Sequence, residues 1–220
     1  MKVHFISGYY SDIAHKTIQA RPPAYWDARG FVLGVKIGTH KYDFTIHGKT
    51  QKLNITSANF NQARKIFGGF INARLIDEHC PAETLLIPVP SKDGILGTTT
   101  YRSLTMLQDA LSGTINAANV VSGIRWTCQL PKSHESGPQD RSFWRPYMQV
   151  TANVAGKNVV LIDDVITTGG TLLAAKECLE EAGATVLGAI CCGKTVYDLK
   201  TAAFGKQFVI LENELHDFCG

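Results

Sequence analysis

VVLIDDVITTGGT, residues 159–171, is the stretch that decides the fold of this chain. Its first four residues are aliphatic and predict a buried strand. Two carboxylates follow, and a loop of threonines and glycines then leads into the helical pattern of residues 172–182. Such a loop at the start of a helix points backbone N–H groups at one spot, where a phosphate is favoured. The stretch therefore predicts a strand, a phosphate-binding loop and a helix.

The adjacent carboxylates Asp163 and Asp164 are unexpected beside a phosphate, because like charges repel. They fit if they accept hydrogen bonds from hydroxyl groups, such as a ribose diol, or if they hold hydrated Mg²⁺. One ligand that carries both a phosphate and a diol satisfies the entire stretch. We therefore expect a phosphorylated ribose, the alternative being an ordinary strand–turn–helix with two aspartates in the turn.

Other elements extend this pattern through the second half of the chain. Residues 84–89 and 186–192 are apolar runs typical of buried strands, and apolar residues recur at helical spacing over residues 63–75 and 101–111. Strands that alternate with helices predict an α/β fold, with a parallel twisted sheet flanked by helices.

The first part of the chain is predicted to be β-rich and to lie outside that core. Its strand candidates are residues 3–6, 31–37, 42–46 and 52–55, the last two forming a hairpin. Residues 21–26 are interpreted as a loop that presents aromatic side chains. We therefore expect a hood over residues 1–57 and an α/β core over residues 58–220.

The composition excludes several classes of protein. Hydrophobic residues make up 45% and charged residues 19%, as in ordinary globular proteins, and a net charge of +3 does not indicate a nucleic-acid or membrane partner. No apolar run approaches the roughly 18 residues that span a bilayer, and no signal-peptide pattern is present, so a cytoplasmic location is expected. The six cysteines show no metal-binding spacing, which favours free thiols.

Residues 159–171 resemble, position for position, the motif with which type I phosphoribosyltransferases bind 5-phosphoribosyl-1-pyrophosphate (PRPP). The resemblance implies that Asp163 and Asp164 hold the ribose 2′ and 3′ hydroxyls and, through water, Mg²⁺. It also implies a cradle for the 5′-phosphate, formed by Thr167, Thr168, Gly169, Gly170 and Thr171.

Two further stretches resemble parts of the same family. Residues 86–92 are similar to its pyrophosphate loop, especially to the Pro-Val-Pro form of ComF-like proteins, which implies that Ser91 and Lys92 face the leaving pyrophosphate. Residues 131–145 resemble its mobile catalytic loop, which implies a catalytic role for Lys132 and His134. The alternatives are a solvated lysine after a strand and an exposed loop of mixed charge.

Two departures from the family limit the resemblance. The ComF-like proteins carry an N-terminal cysteine-rich metal module, which residues 1–57 lack. The 6-oxopurine enzymes have an aspartate where this chain has Thr167, which argues against hypoxanthine or guanine as the acceptor.

The resemblance implies a phosphoribosyltransferase, a pentosyl-transferring enzyme, that uses PRPP and Mg²⁺. It would move the 5-phosphoribosyl group to a nitrogen of a base or amine and release pyrophosphate. The hood would select this acceptor, with Tyr25 and Trp26 as candidate stacking residues. The acceptor itself stays open, as does the oligomeric state, for which a homodimer is one form that the family allows.

Three other functions remain open. The chain could be a regulator that senses PRPP or a nucleotide without catalysis, a ComF-like accessory protein in DNA handling, or a hydrolase acting on the same ligand. The sequence shows no helix-turn-helix pattern and no basic stripe, which argues against a DNA-binding regulator.

Overall fold

The computed structural model describes residues 1–10, 22–38, 44–47, 52–56, 58–59, 61–130, 140–197 and 200–211. For residues 44–47 and 52–55 it describes the backbone alone. Its strands are β1 (Lys2–Tyr9), β2 (Phe44–His47), β3 (Lys52–Ile55), β4 (Leu85–Pro88), β5 (Ile124–Trp126), β6 (Met148–Val150), β7 (Asn158–Ile166), β8 (Thr185–Thr195) and β9 (Phe204–Ile210). Its α-helices are α1 (Pro23–Ile37), α2 (Asn61–Asp77), α3 (Arg102–Leu111), α4 (Arg141–Trp144) and α5 (Gly170–Glu181), with 3₁₀ turns at Ile115–Asn119 and Arg145–Tyr147.

The main sheet has five strands in the order β4-β7-β8-β1-β9. Strands β4, β7, β8 and β1 run parallel, and β9 pairs antiparallel with β1 at the edge. Two separate antiparallel pairs, β2–β3 and β5–β6, stand beside this sheet. The predicted α/β fold with a parallel sheet and flanking helices is confirmed.

Strand β7 shows how the sheet fills both layers of core. Its successive side chains point to opposite faces, as the strand period requires. Val159 and Leu161 belong to the apolar cluster that contains α5, whereas Val160 and Ile162 belong to the cluster that contains residues of α1, α2 and α3. The buried strand with two aspartates near its end is therefore held by apolar packing on both sides.

The prediction of a strand over residues 31–37 is wrong, because these residues form the second half of helix α1. The interpretation of residues 21–26 as a loop is also wrong from Pro23 onward, where α1 begins. Proline is favoured in the first turn of a helix, and Gly38, with φ of +69°, closes the other end in the left-handed conformation. The β-branched and aromatic residues between Pro23 and Gly38 resemble a strand pattern only when these two helix-end signals are ignored.

The predicted N-terminal strand is confirmed, but its place differs from expectation. β1 lies between β8 and β9 in the main sheet, and α1 packs on that sheet, although both fall within the region assigned to the hood. The predicted hairpin β2–β3 is confirmed and stands apart from the main sheet. The division at residue 57 stays a prediction, and that residue lies outside the described ranges.

Other predicted elements agree with the structure to within a few residues. Helices α2, α3 and α5 and strands β4, β7 and β8 occupy the predicted positions, whereas β5, β6 and β9 were not predicted. Five cysteines are free thiols in the part of the chain that the structure describes: Cys80, Cys128, Cys178, Cys191 and Cys192. Among the helices of that part, none has the length and apolar character needed to cross a bilayer.

Candidate functional site

A cleft of about 520 Å³ lies at the carboxyl ends of the neighbouring parallel strands β4 and β7. Ligands of open α/β sheets bind at this edge, because the loops that leave the strands meet there. The cleft is lined by the acidic pair at the end of β7, by the loop after β4, by the start of α3 and by the last turn of α1. The structure therefore brings the predicted acidic pair and the predicted pyrophosphate loop into one site.

The acidic pair lies within β7, which continues to Ile166 and not, as predicted, only to residue 162. Both side chains line the cleft. The Asp163 carboxylate Oδ1 accepts a hydrogen bond of 2.7 Å from the backbone N–H of Asp164. Burial, and then the negative charge of Asp164, raise the pKa of Asp163 well above its usual range. The site is therefore arranged to receive a cation or hydroxyl donors beside these two carboxyl groups.

Lys36 also lines the cleft, although its sequence context does not predict it as a site residue. It lies in the last turn of α1, and its Nζ is 3.0 Å from Asp164 Oδ2. Desolvation lowers the pKa of Lys36, but the charge of Asp164 and a hydrogen bond to it, followed by the charge of Asp163, outweigh that effect and raise the pKa overall. No local pattern signals this role, since only the placement of α1 against the sheet brings the lysine to the site.

The predicted phosphate loop lines a second, adjoining cleft of about 300 Å³. Gly169 has φ of +89° and precedes the first turn of α5, where backbone N–H groups lack helical partners. Thr167, Thr168 and Thr171 also line this cleft, and the Thr167 hydroxyl lies 3.1 Å from the Thr195 hydroxyl. Gly170 is buried at the start of α5. The loop thus combines hydroxyl groups, glycines that let an anion approach the backbone, and a helix N-terminus, all of which favour an anion.

The predicted pyrophosphate loop is held by an aspartate that the sequence analysis did not single out. Ser91 Oγ donates to Asp93 Oδ1 at 2.6 Å, and the backbone N–H of Arg102 donates to Asp93 Oδ2 at 3.1 Å. Burial opposes it, but hydrogen bonds from Ser91 and Arg102 lower the pKa of Asp93. Ser91 therefore shapes the loop with its hydroxyl, while the exposed Lys92 lines the cleft.

Two tryptophans connect the two loops. Trp126 Nε1 lies 3.0 Å from the carbonyl oxygens of both Pro90 and Ser91 and donates to them, and its ring centroid is 5.7 Å from that of Trp144. Trp144 lines both clefts, so its ring forms part of the wall between them. Neither tryptophan was predicted as a site residue.

The predicted stacking residues are elsewhere. Tyr25 is buried and donates its hydroxyl to the carbonyl oxygen of Thr201 at 2.8 Å, and Trp26 is 52% exposed. Neither lines either of the two clefts. The tyrosine has a packing role, and the cleft takes its aromatic surface from Trp126 and Trp144 instead.

The predicted catalytic residues Lys132 and His134 lie outside the described residues, and their role stays a prediction. The segment that follows them is anchored to α5. Arg141 Nε lies 3.4 Å from Glu177, and Arg145 forms an ion pair with Glu181. The chain after residue 139 is therefore fixed to the helix that begins at the phosphate loop.

The acidic pair fits Mg²⁺ only in a limited way. The described ranges contain no group of three or more His, Cys, Asp and Glu side chains that could enclose a metal ion. Mg²⁺ prefers six oxygen ligands and commonly keeps waters and substrate phosphate oxygens among them. Asp163 and Asp164 therefore suit an ion that arrives with a phosphorylated substrate and that they contact directly or through water.

Residues 114–196 match the family model of the phosphoribosyl transferase domain. Over these residues the chain is similar to the phosphoribosyltransferase family. The matched segment contains the acidic pair and the phosphate loop, but it begins after the Ser91–Lys92 loop and far from Lys36. The predicted family is confirmed, while the closer likeness to ComF-like proteins stays a prediction.

Three curated relatives share parts of the chain. An adenine phosphoribosyltransferase of Corynebacterium kroppenstedtii is 67% identical over 36 residues, which cover 16% of this chain and 20% of the relative. A ribose-phosphate pyrophosphokinase of Chlorobaculum tepidum is 38% identical over 80 residues, 33% of this chain and 24% of the relative. An adenine phosphoribosyltransferase of Mycolicibacterium smegmatis is 30% identical over 113 residues, 40% of this chain and 63% of the relative. The chain thus spans less than two thirds of the length of each.

Proposed function

We propose that this protein is a phosphoribosyltransferase, a pentosyl-transferring enzyme that uses PRPP and Mg²⁺. It would transfer the 5-phosphoribosyl group to a nitrogen of a nucleobase-like acceptor and release pyrophosphate. The observation that carries the proposal is the joining of two clefts at one sheet edge, where Asp163 and Thr167 line both. The match of residues 114–196 to the phosphoribosyl transferase domain supports the same ligand.

PRPP has three polar parts, and the site offers a suitable surface for each. The 5′-phosphate fits the loop from Thr167 to Thr171, because hydroxyls and the N-terminus of α5 converge there. The ribose diol fits the carboxylates of Asp163 and Asp164. The pyrophosphate fits the cations that line the larger cleft, which are Lys36, Lys92 and Arg102.

The transfer breaks the bond between ribose C1 and the pyrophosphate oxygen and forms a bond from C1 to the acceptor nitrogen, which loses a proton. Negative charge grows on the departing pyrophosphate as positive charge grows at C1. Lys36, Lys92 and Arg102 would stabilise the former, since cations that line the site act where the charge develops. Bound Mg²⁺ would neutralise further pyrophosphate charge. The predicted catalytic residues Lys132 and His134 would add further cations.

The acceptor would lie against aromatic surface, and Trp144 is the candidate that the cleft offers. We restrict the hood hypothesis to the hairpin β2–β3, because β1 and α1 are parts of the core. Two of the three relatives are named for adenine, which makes adenine the first acceptor to test. A cytoplasmic location and a homodimer remain parts of this proposal.

The test combines binding with turnover. Calorimetry measures PRPP binding in the presence of Mg²⁺, and pyrophosphate release is then followed with adenine, orotate and other nitrogen acceptors. Release that requires an acceptor supports the transferase. Release without an acceptor would instead indicate a hydrolase, and binding without release would indicate a sensor. A folded protein that does not bind PRPP would overturn the proposal.

A further inference from the structure

Lys36 forms an ion pair with the acidic pair of the larger cleft. Its Nζ lies 3.0 Å from Asp164 Oδ2, and the two side chains are 43% and 21% exposed. Among the described residues, no other cationic side chain lies within 4 Å of the carboxylates of Asp163 and Asp164. The lysine therefore occupies the side of the acidic pair that a metal ion would also seek.

The backbone that carries Lys36 is fixed by a buried arginine. Arg64, which is 7% exposed, donates from Nε to the carbonyl oxygen of Val35 at 3.0 Å and forms an ion pair with Asp109 on α3. Gly38 takes φ of +69°, and a Cβ there would overlap the Arg64 guanidinium. The last turn of α1 is thus held against α2 and α3, and Lys36 begins from a fixed point near the cleft.

We propose that Lys36 is a built-in cation of the substrate site, which neutralises Asp164 until a substrate-borne metal ion displaces it toward the phosphates. The inference rests on the proposed function, because it assumes a ligand that brings phosphate and Mg²⁺ to this cleft. Two adjacent carboxylates are costly to keep ionised side by side, and a cation at 3 Å offsets that cost. Lysine suits the task because its ammonium sits on a long flexible stem.

A comparison with Arg102, another cation of the cleft, shows why Lys36 would be free to move. Arg102 Nε is bound to Asp93 Oδ1 at 3.2 Å, in the contact that shapes the pyrophosphate loop. Lys36, in contrast, is bound by a carboxylate that the substrate itself requires. A ligand that occupies Asp164 therefore releases the ammonium of Lys36 within the same cleft as the pyrophosphate.

Two opposite effects follow from removing the charge. Without Lys36, a metal ion alone meets an unshielded acidic pair and binds more tightly. PRPP without a metal ion, in contrast, loses a cation for its phosphates and gains uncompensated repulsion, so that it binds more weakly. A residue that served only to support the fold would not move the two affinities in opposite directions.

The experiment uses Lys36→Met, with Lys36→Arg as the conservative variant. Lys65→Met is the matched control, because Lys65 is exposed on α2 and does not line the cleft. Mn²⁺ serves as the probe of the metal site, its free fraction being measured by electron paramagnetic resonance. PRPP binding is measured by calorimetry in EDTA and again with excess Mg²⁺.

For Lys36→Met we expect the Kd for Mn²⁺ to fall about fivefold and the Kd for PRPP in EDTA to rise by a similar factor, the size expected for a partly exposed ion pair. Lys36→Arg should stay near the wild type, and Lys65→Met should match it. Circular dichroism confirms that each variant is folded. Unchanged affinities in a folded Lys36→Met protein would overturn the inference, as would two affinities that fall together.

The two proposals fail in different ways. If the wild type does not bind PRPP even with Mg²⁺, the proposed function is lost. The Mn²⁺ measurement on Lys36→Met still judges the lysine in that case, since it needs no substrate. If the wild type binds PRPP and Lys36→Met behaves identically, the proposed function stands and the built-in cation is wrong.

Discussion

The phosphate loop region, residues 163–171, and the N-terminal region, residues 1–56, contribute to the same site in contrasting ways. In the first, neighbours in sequence are neighbours in the site, because one strand end and one loop supply carboxylates, hydroxyls and a helix terminus. In the second, β1 lies inside the main sheet between β8 and β9, and α1 brings Lys36 to Asp164. The role of this second region depends on long-range packing, which no short stretch of it reveals.

The difference has a consequence for substitutions. Changes in the phosphate loop region should alter ligand binding with little loss of stability, because its polar groups face a cleft. Changes in the N-terminal region should mainly lower stability, since its residues pack within the sheet and fix the end of α1. Any effect on ligand binding should follow from that loss of stability.

The largest expected effect belongs to the double change Asp163→Asn and Asp164→Asn. It removes the two charged acceptors that we propose for the ribose diol, each worth about 1.5–3 kcal/mol, so PRPP affinity should fall at least about 100-fold. Thermal unfolding should show no matching loss of stability, because the change also removes repulsion between the carboxylates. Calorimetry with Mg²⁺ measures the affinity, and Glu83→Gln on the exposed turn before β4 is the control. Retained PRPP binding would place the ligand elsewhere.

The single change Asp163→Asn tests the electrostatics of the same region through pH. Burial and the charge of Asp164 raise the pKa of Asp163 above its unfolded value of 3.8. The stability that this group contributes is fully present below the unfolded pKa and is lost as the pH rises through the folded pKa. Asp163→Asn should therefore stabilise the free protein more at pH 8 than at pH 4, as measured by chemical denaturation. An equal effect at both pH values would contradict the raised pKa.

In the N-terminal region, Gly38→Ala should destabilise the protein by about 2 kcal/mol. The left-handed backbone disfavours a Cβ, and the added carbon would also meet the buried Arg64 guanidinium. Gly69→Ala is the matched control, because Gly69 is exposed in α2 and a Cβ there meets no atom within 4 Å. That change should stabilise the helix by up to about 1 kcal/mol. Urea unfolding measures the free energy of unfolding of both variants, and equal effects would show that Gly38 has no special role.

The same contrast separates the features that the sequence predicts from those that it does not. The acidic pair, the phosphate loop and the alternating core elements could be predicted, because strand burial, loop composition and helix spacing are local signals. The helix at residues 23–37 could also have been found from Pro23 and Gly38, which bound it. The roles of Lys36 and Trp144 and the position of β1 between β8 and β9 could not be predicted, since they depend on long-range packing and strand pairing. The pairing of β1 with β8, more than 180 residues apart in sequence, leaves no local pattern.

A smaller effect is expected at the predicted pyrophosphate loop. Like the phosphate loop region it lines the cleft, and like the N-terminal region it depends on contacts with another part of the chain. Asp93→Ala removes the acceptor for Ser91 and for the backbone N–H at the start of α3, so it should cost about 1–2 kcal/mol of stability. PRPP affinity should fall about tenfold, because the loop with Lys92 is no longer held in place. Asp93→Asn keeps one acceptor oxygen and should lose about half as much. Unfolding curves and calorimetry check both values, and a stability loss without any affinity loss would separate the loop from the ligand.

The smallest effects concern the two aromatic residues at the start of α1. Tyr25→Phe removes a half-buried hydrogen bond to the Thr201 carbonyl and should cost about 1 kcal/mol of stability without changing ligand affinity. Trp26→Ala should change acceptor affinity by less than about twofold, because Trp26 is half-exposed and lies outside both clefts. Trp144→Ala is the positive control for an aromatic wall and should weaken binding. If Trp26→Ala weakened acceptor binding as strongly as Trp144→Ala, the N-terminal region would contribute to ligand recognition directly, and the contrast between the two regions would fail.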